Sequence, residues 1–296
     1  MRSLSAAALR PSTTATYKRS WQIFNMFSDQ IHLSLAERQI PLTPQIVALF
    51  VAYLFENSYR PPTIRTHLSA IAYSHRMQGH DSPTDSFLVQ KLMKGVALQS
   101  PGGDARYPIT LSILRRILGI INHIIPSTYM RSLLKAMCTT AFFGFLRCGE
   151  MCLSAHTIQI DQLQMDMTQA AITMHSFKHN SDKSPFVIRL ESKPGQLECP
   201  IFHLQNYIQL RKFRPGPLFA DIDGTPISRN KFSSQLNLCL RALNLDITHY
   251  KAHSFRIGAA SHALMQGKSD SEIRILGRWS STAFRGYLRV AGLQSI

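Results

Sequence analysis

The sequence predicts a mainly α protein, an all-α region followed by an α+β region with a small antiparallel sheet. Three observations predict it. Apolar residues recur at helical spacing across residues 1 to about 100. After a Pro/Gly-rich stretch the helical pattern resumes, then yields to short β-branched runs between Thr157 and Leu190. Helical patterns return from about Pro200, and runs of helices on either side of a few short strands read as α+β appended to all-α.

The elements follow in order. Thr13 to Ser28 carries Tyr17, Trp21, Phe24, Met26 and Phe27 at helical spacing. Thr43 is the expected N-cap, with Pro44 at the first position, of a helix through Phe55. Pro61-Pro62 punctuates the chain, and Thr63 opens a helix to about Gln78 whose buried stripe is Ile64, Leu68, Ile71 and Ala72. On its other side Arg65, Ser69, Tyr73 and Arg76 make a polar face, a candidate phosphate-contacting surface or a solvated helix side. The segment from Ser100 to Pro108, rich in Pro and Gly, reads as a linker, so domains are expected over 1–100 and 109–296 with 101–108 between them. Beyond it, Leu111–Ile121 and Thr128–Phe143 are expected helices. Thr157–Ile160, Ala171–His175 and Phe186–Leu190 are expected strands, with the polar turn Lys178–Lys183 joining the last two. A turn at Asp221–Pro226 interrupts the C-terminal helices.

Composition narrows the function. The 296 residues hold 33 Lys+Arg against 17 Asp+Glu, a formal charge of +16. Only 17% of residues are charged, so the excess reflects scarce acids more than abundant bases. That favours a polyanionic partner, nucleic acid before an anionic membrane surface. Residues 1–104 carry 10 basic and 6 acidic side chains and 105–296 carry 23 and 11, so most of the excess lies in the larger part. A hydrophobic content of 45% excludes a disordered basic tail. The longest apolar run, Ile46–Phe55, is ten residues, half of the roughly 20 that a membrane-spanning helix needs. The N-terminus is too weakly apolar for a secretory signal, so neither a signal peptide nor a membrane segment is expected. Five cysteines, none in a C-x-x-C pair, suggest neither a zinc ribbon nor a disulfide framework. Cys148 and Cys152, a helical turn apart, read as small buried residues. His175, His179 and His262 read as ordinary surface or core histidines.

Phosphate chemistries that need a P-loop, a G-x-G-x-x-G turn, an H-E-x-x-H helix or a carboxylate cage find no match. Metal and small-molecule cofactor are therefore both expected to be none. Acting on nucleic acid without metals would need Arg, Lys and His for transition-state charge and a side-chain nucleophile. Those parts are present. Arg147 follows an apolar helix with Glu150 three residues on. His253 and Arg256 stand at i and i+3 of a helix. Leu276-Gly-Arg278-Trp279 makes a corner before Tyr287 near the C-terminus. Guanidiniums can grip two phosphate oxygens at once, which a lysine cannot do with the same geometry.

On these residues the sequence resembles the tyrosine recombinase (phage integrase) family over essentially its full length. The Gly-Arg-Trp corner and compact size are most similar to recombinases of eukaryotic Crypton and DIRS-type mobile elements. The resemblance implies an all-α core-binding domain that helps to clamp duplex DNA, and a tyrosine-recombinase catalytic domain with a small antiparallel sheet. It implies that Arg147 and Arg256 bind the scissile phosphate, that Tyr287 is the nucleophile, and that His253 assists its deprotonation. Glu150 would orient Arg147. The β-turn lysine that protonates the leaving 5′-oxygen is Lys178 or Lys183, with Lys178 preferred because it directly follows the strand. The family's His/Trp position falls on Arg278 in an ungapped match and on Trp279 one step later. Trp279 is preferred, with Arg278 as a third arginine at the phosphate the alternative, and either would buttress or bind the phosphate.

The implied reaction is attack of Tyr287 on the phosphate, giving a 3′-phosphotyrosyl bond and a free 5′-hydroxyl, with rejoining as the reverse, independent of ATP and metal. Implied partners are double-stranded DNA and further copies of the chain, assembled as a tetramer on DNA, with no membrane. Implied localisation is the nucleus in a eukaryote and the cytoplasm or nucleoid otherwise. Only nine residues follow Tyr287, short for a segment exchanged between copies, so contacts between copies are expected elsewhere or from a longer chain. The alternatives are a domesticated, catalytically inactive DNA-binding protein with the same fold and, ranked last, a type IB topoisomerase.

Overall fold

The computed structural model describes residues 8–100, 105–178, 180, 184–212 and 214–288, and of Thr282, Ala283 and Tyr287 it describes the backbone only. The chain divides into two compact units, residues 1–104 and 105–296.

The first unit is built from α1 (Pro11–Gln30), α2 (Pro44–Glu56), α3 (Pro61–Met77) and α4 (Phe87–Gln99). Proline opens the first three, where a missing N–H costs nothing because the first helical N–H groups have no intrahelical acceptor. This is why α3 starts at Pro61 rather than at Thr63. The Thr43 hydroxyl accepts the Ile46 N–H (3.3 Å), the expected cap of α2. Phe24, Phe27, Phe50, Leu54, Ile64 and Val89 form the centre of the core, where each large apolar side chain contributes about 1.5–3 kcal/mol by leaving water. The stripe Ile64, Leu68, Ile71 and Ala72 is buried. Met26 is not: it is 63% exposed, two residues and over half a turn round α1 from Phe24. The Ser20 hydroxyl donates to the Thr16 carbonyl, which leaves its oxygen to accept from Nδ1–H of buried His67 (2.9 Å).

The second unit comprises α5 (Leu111–Ile124), α6 (Thr128–Phe143), the single turn α7 (Cys148–Met151), strands β1 (Leu163–Met165), β2 (Gln169–Met174) and β3 (Phe186–Glu191), then α8 (Pro200–Arg211), α9 (Arg229–Ala242), α10 (Ser254–Met265) and α11 (Asp270–Leu276). A 3₁₀ turn, Thr282–Tyr287, follows. The strands form an antiparallel sheet in the order β1-β2-β3. Ala170, Ile172 and Met174 of β2 and Ile188 and Leu190 of β3 turn one face into the core, with Ile172 paired to Ile188. α6 lies at the centre of the unit, buried from Leu133 to Phe142 on most of its surface.

Two expectations change. Thr157–Ile160 is not a strand of the sheet. Ile158 instead gives its N–H to the Glu150 carbonyl (2.9 Å) and takes the Leu218 N–H on its own carbonyl (2.8 Å). This strap uses the backbone groups a ladder would need, so the first strand begins at Leu163. Tyr107, in the segment read as linker, is fastened to the second unit: its N–H donates to the His249 carbonyl (2.9 Å) and its ring stacks on His249 at 4.5 Å. Among the described residues no helix is long and apolar enough to cross a membrane, and no group of three or more His, Cys, Asp or Glu is placed to hold a metal ion.

Candidate active site

α6 ends at Gly144, and the chain turns through Phe145 in the left-handed region (φ 51°) to reach Arg147, the N-cap of α7. Glu150, at the third position of α7, reaches back to the Arg147 N–H (2.8 Å) and to its guanidinium (2.9 Å). Oε2, which takes the Arg147 N–H, also accepts from Arg278 Nη2 at 2.8 Å, while Oε1 takes the Arg147 guanidinium. Arg278 also donates to the carbonyls of Phe145 (3.0 Å) and Gly144 (3.3 Å), and its guanidinium lies 5.4 Å from the Phe186 ring centre. Arg256, in the first turn of α10, donates to the same Phe145 carbonyl and to the Gly277 carbonyl, with its guanidinium 4.2 Å from the Trp279 ring centre. The fold thus brings Arg147, Glu150, Arg256, Arg278 and Trp279 from three separate segments into one cluster.

The electrostatics are those of a cationic cluster with one internal anion. Burial alone would raise the Glu150 carboxyl, but the guanidiniums of Arg278 and Arg147 outweigh it and hold the group below the usual carboxylate range. Burial pushes Arg278 down, opposed by Glu150. Three guanidiniums surround one carboxylate, leaving an excess of positive charge. The openings differ: the Arg147 side chain is 18% exposed, that of Arg278 1%, and Arg256 as a residue 1%. Arg147 is therefore the guanidinium an anion can reach directly, while Arg278 is a buttress enclosed by carbonyls and Glu150. Trp279 lies over Arg256. A Cβ on Gly277 would stand 1.5 Å from Trp279 Cζ3, so the glycine before the Arg-Trp pair is what lets the indole fold back.

His253 is the half-buried N-cap of α10, one turn from Arg256. Lys178 is exposed in the turn after β2. Its neighbour Phe177 meets Phe186 edge-on at 6.2 Å, and Phe186 in turn underlies Arg278. That aromatic pair ties the hairpin to the arginine cluster. Lys183 lies outside the described residues. Tyr287 ends the 3₁₀ turn; its side chain also lies outside the description. The turn is anchored by Phe284, which packs with Phe145, Ala259, Ala260 and Trp279.

On α3 the polar face separates. Arg65, Ser69 and Arg76 line a groove of about 560 Å³ with Gln90 and Lys94 of α4. Arg76 is paired with Asp85 (2.8 Å), and Tyr73 packs instead against Tyr17 at 5.5 Å. Sequence reasoning missed the Phe145 carbonyl, the shared acceptor of Arg256 and Arg278, and the ring of Phe186. A backbone acceptor has no side-chain signature, although the Gly144-Phe145 pair directly after a helix marks the turn that presents it.

The fold is that of the tyrosine recombinases. Among solved structures the chain matches the XerH site-specific recombinase bound to palindromic difH substrate, at 14% identity and a TM-score of 0.67, covering 92% of this chain and 75% of that one. It matches a lambda integrase dimer bound to a COC′ core site at 14% and 0.65, covering 100% and 76%. It also matches the Tn1549 transposon integrase in complex with transposon right end DNA at 14% and 0.65, covering 96% and 91%. No family model matches the sequence, and no curated protein matches it.

Proposed function

We propose that the protein breaks and rejoins double-stranded DNA as a site-specific tyrosine recombinase serving a mobile element. One observation carries the reading: an excess of guanidinium charge around Arg147, gathered from three segments, on a fold whose solved examples include DNA-bound recombinases and integrases. Arg147 receives a non-bridging oxygen of the scissile phosphate, with Glu150 and Arg278 fixing its geometry. Preorganised cations of this kind stabilise the charge that grows on the pentavalent phosphorus without having to reorient. Arg256 takes the second oxygen. Because Trp279 covers it, DNA docking moves the segment from Gly277 to Tyr287 off Arg256, and the same movement delivers Tyr287 to the phosphate. His253 accepts the phenolic proton, help that a group with a reference pKa of about 10 needs near neutrality. Lys178 protonates the leaving 5′-oxygen. Arg65, Ser69 and Lys94 contact the backbone of the duplex from the first unit, and copies of the chain assemble as a tetramer on two duplexes.

A specific observation favours a second reading, an inactive DNA-binding descendant of such an enzyme: Arg256 is 1% exposed, with Trp279 over its guanidinium. Adduct trapping separates the two. Duplexes selected by binding to the Tyr287→Phe chain, then nicked beside the protected site, should give a covalent complex on a denaturing gel with the unmodified chain and none with Tyr287→Phe. Binding without any adduct on every nicked position would leave the second reading.

A further inference from the structure

Directly beyond Arg147, two thiols share one turn. Cys148 is the first residue of α7 and Cys152 its C-cap, with the Cys152 N–H donating to the Cys148 carbonyl (2.8 Å). Their sulfurs lie 3.7 Å apart in S–H···S contact. Cys152 is buried, whereas Cys148 keeps part of its surface open, contrary to the sequence reading of both as buried. Between them stands Gly149, and over it the guanidinium of Arg229 from the first turn of α9, with Nη2 2.6 Å from where a Cβ would be. A side chain at 149 would push that cation away from the sulfurs.

We propose that Cys148 and Cys152 form a hydroperoxide-reactive dithiol, with Cys148 as the attacking thiol and Cys152 as the resolving one. The surroundings divide the roles. The hydrogen bond with Cys152, and then the charge of Arg229, outweigh burial and lower the Cys148 thiol, while the same contact and burial raise Cys152. A thiolate beside a cation and open to solvent is the reactive form of cysteine, and a second thiol in contact converts its oxidised state to a disulfide. Elsewhere, Cys138 and Cys239 are buried and raised by burial, and Cys199 is buried against the Ser192 hydroxyl.

The step balances. The Cys148 thiolate attacks one oxygen of the hydroperoxide; the S–O bond forms, the O–O bond breaks, and the leaving alkoxide or hydroxide takes a proton. The Cys152 sulfur then attacks the Cys148 sulfur; the S–S bond forms, the S–O bond breaks, and water leaves. With hydrogen peroxide, two thiols and one peroxide give one disulfide and two waters, the sulfurs losing two electrons and the peroxide gaining them. The sulfurs close from 3.7 Å to the roughly 2.05 Å of a disulfide, which residues this near can reach by side-chain rotation and small backbone shifts.

The test uses the full reduced chain, hydrogen peroxide as the probe, alkylation of remaining thiols and mass spectrometry. Trypsin releases residues 148–178 as one peptide that contains Cys148 and Cys152 and no other cysteine. The expected result is a loss of 2 Da and of both alkyl groups in that peptide. In Cys152→Ser a 1,3-dione reagent should label sulfenic acid at Cys148, and Arg229→Gln should slow the reaction of the unmodified pair, because the thiolate loses its neighbouring cation. Full alkylation of both cysteines after peroxide, sulfinic acid at Cys148 without the 2 Da loss, or an unchanged rate in Arg229→Gln would overturn the proposal. The mass readout on the unmodified chain needs no variant to fold, and none of these readouts depends on DNA cleavage.

Discussion

At the residue scale, Glu150 carries the arrangement. It is 1% exposed, and its two oxygens hold Arg147 and Arg278 at 2.9 and 2.8 Å. Removing one partner of a buried ion pair strands the others without compensation, at a cost of about 3–5 kcal/mol. Glu150→Gln is therefore expected to lower the thermal midpoint of the second unit by many degrees in calorimetry. An unchanged midpoint would mean that the guanidiniums are held by the Gly144 and Phe145 carbonyls alone. The sequence made Arg147, Glu150 and Arg256 legible because each sits in a short motif with fixed spacing. The division of labour at 278 and 279 was not legible. It depends on a left-handed residue at Arg278 (φ 53°) and on a glycine that lets Trp279 fold back, neither of which spacing encodes.

Between elements, the corner from Gly277 to Tyr287 packs on the helix α10. Trp279 lies on Arg256 and meets Phe284 at 5.9 Å, so a movement that opens Arg256 must change the environment of the indole. The chain has two tryptophans, and Trp21→Phe leaves Trp279 as the one indole that can be excited selectively over the tyrosines. Its fluorescence is expected to shift in wavelength and intensity on binding a selected DNA site, with little change on nonspecific DNA. An unchanged spectrum at saturation would show that the corner stays closed. Helices were legible from caps and stripes: Thr43-Pro44 and Thr128–Phe143 fall where the pattern placed them. The first strand was not, because Thr157–Ile160 alternates as a strand does while its backbone groups are taken by Glu150 and Leu218.

For the whole molecule, charge and protonation set the conditions of stability and binding. His67, His203 and His262 are lowered by burial first, with Arg19, Lys135 and Lys193 adding to it respectively. Folded chains hold these imidazoles neutral, whereas unfolded ones take up protons as pH falls through about 6.5. Their contribution is thus present above that pH and lost as pH falls through the lowered folded values. Stability measured by urea unfolding should decline from pH 7 to 5, before the carboxylates titrate; a flat profile over that window would contradict it. The +16 charge, mostly on residues 105–296, predicts steep salt dependence. A duplex site neutralising roughly six to ten phosphates should lose on the order of a thousandfold in affinity between 50 and 200 mM salt, as measured by fluorescence anisotropy. A loss of only a few fold would leave the charge without a phosphate partner.

Chemistry at one atom tests the central claim most directly. The covalent complex formed on a nicked, selected duplex can be digested with nuclease and trypsin, and the peptides sequenced by mass spectrometry. Cleavage after Arg285 and Arg289 isolates residues 286–289, with Tyr287 as the one phenol. The account predicts a nucleotide remnant joined through phosphate to the Tyr287 oxygen. A remnant on any other residue, or its persistence in the Tyr287→Phe chain, would contradict it.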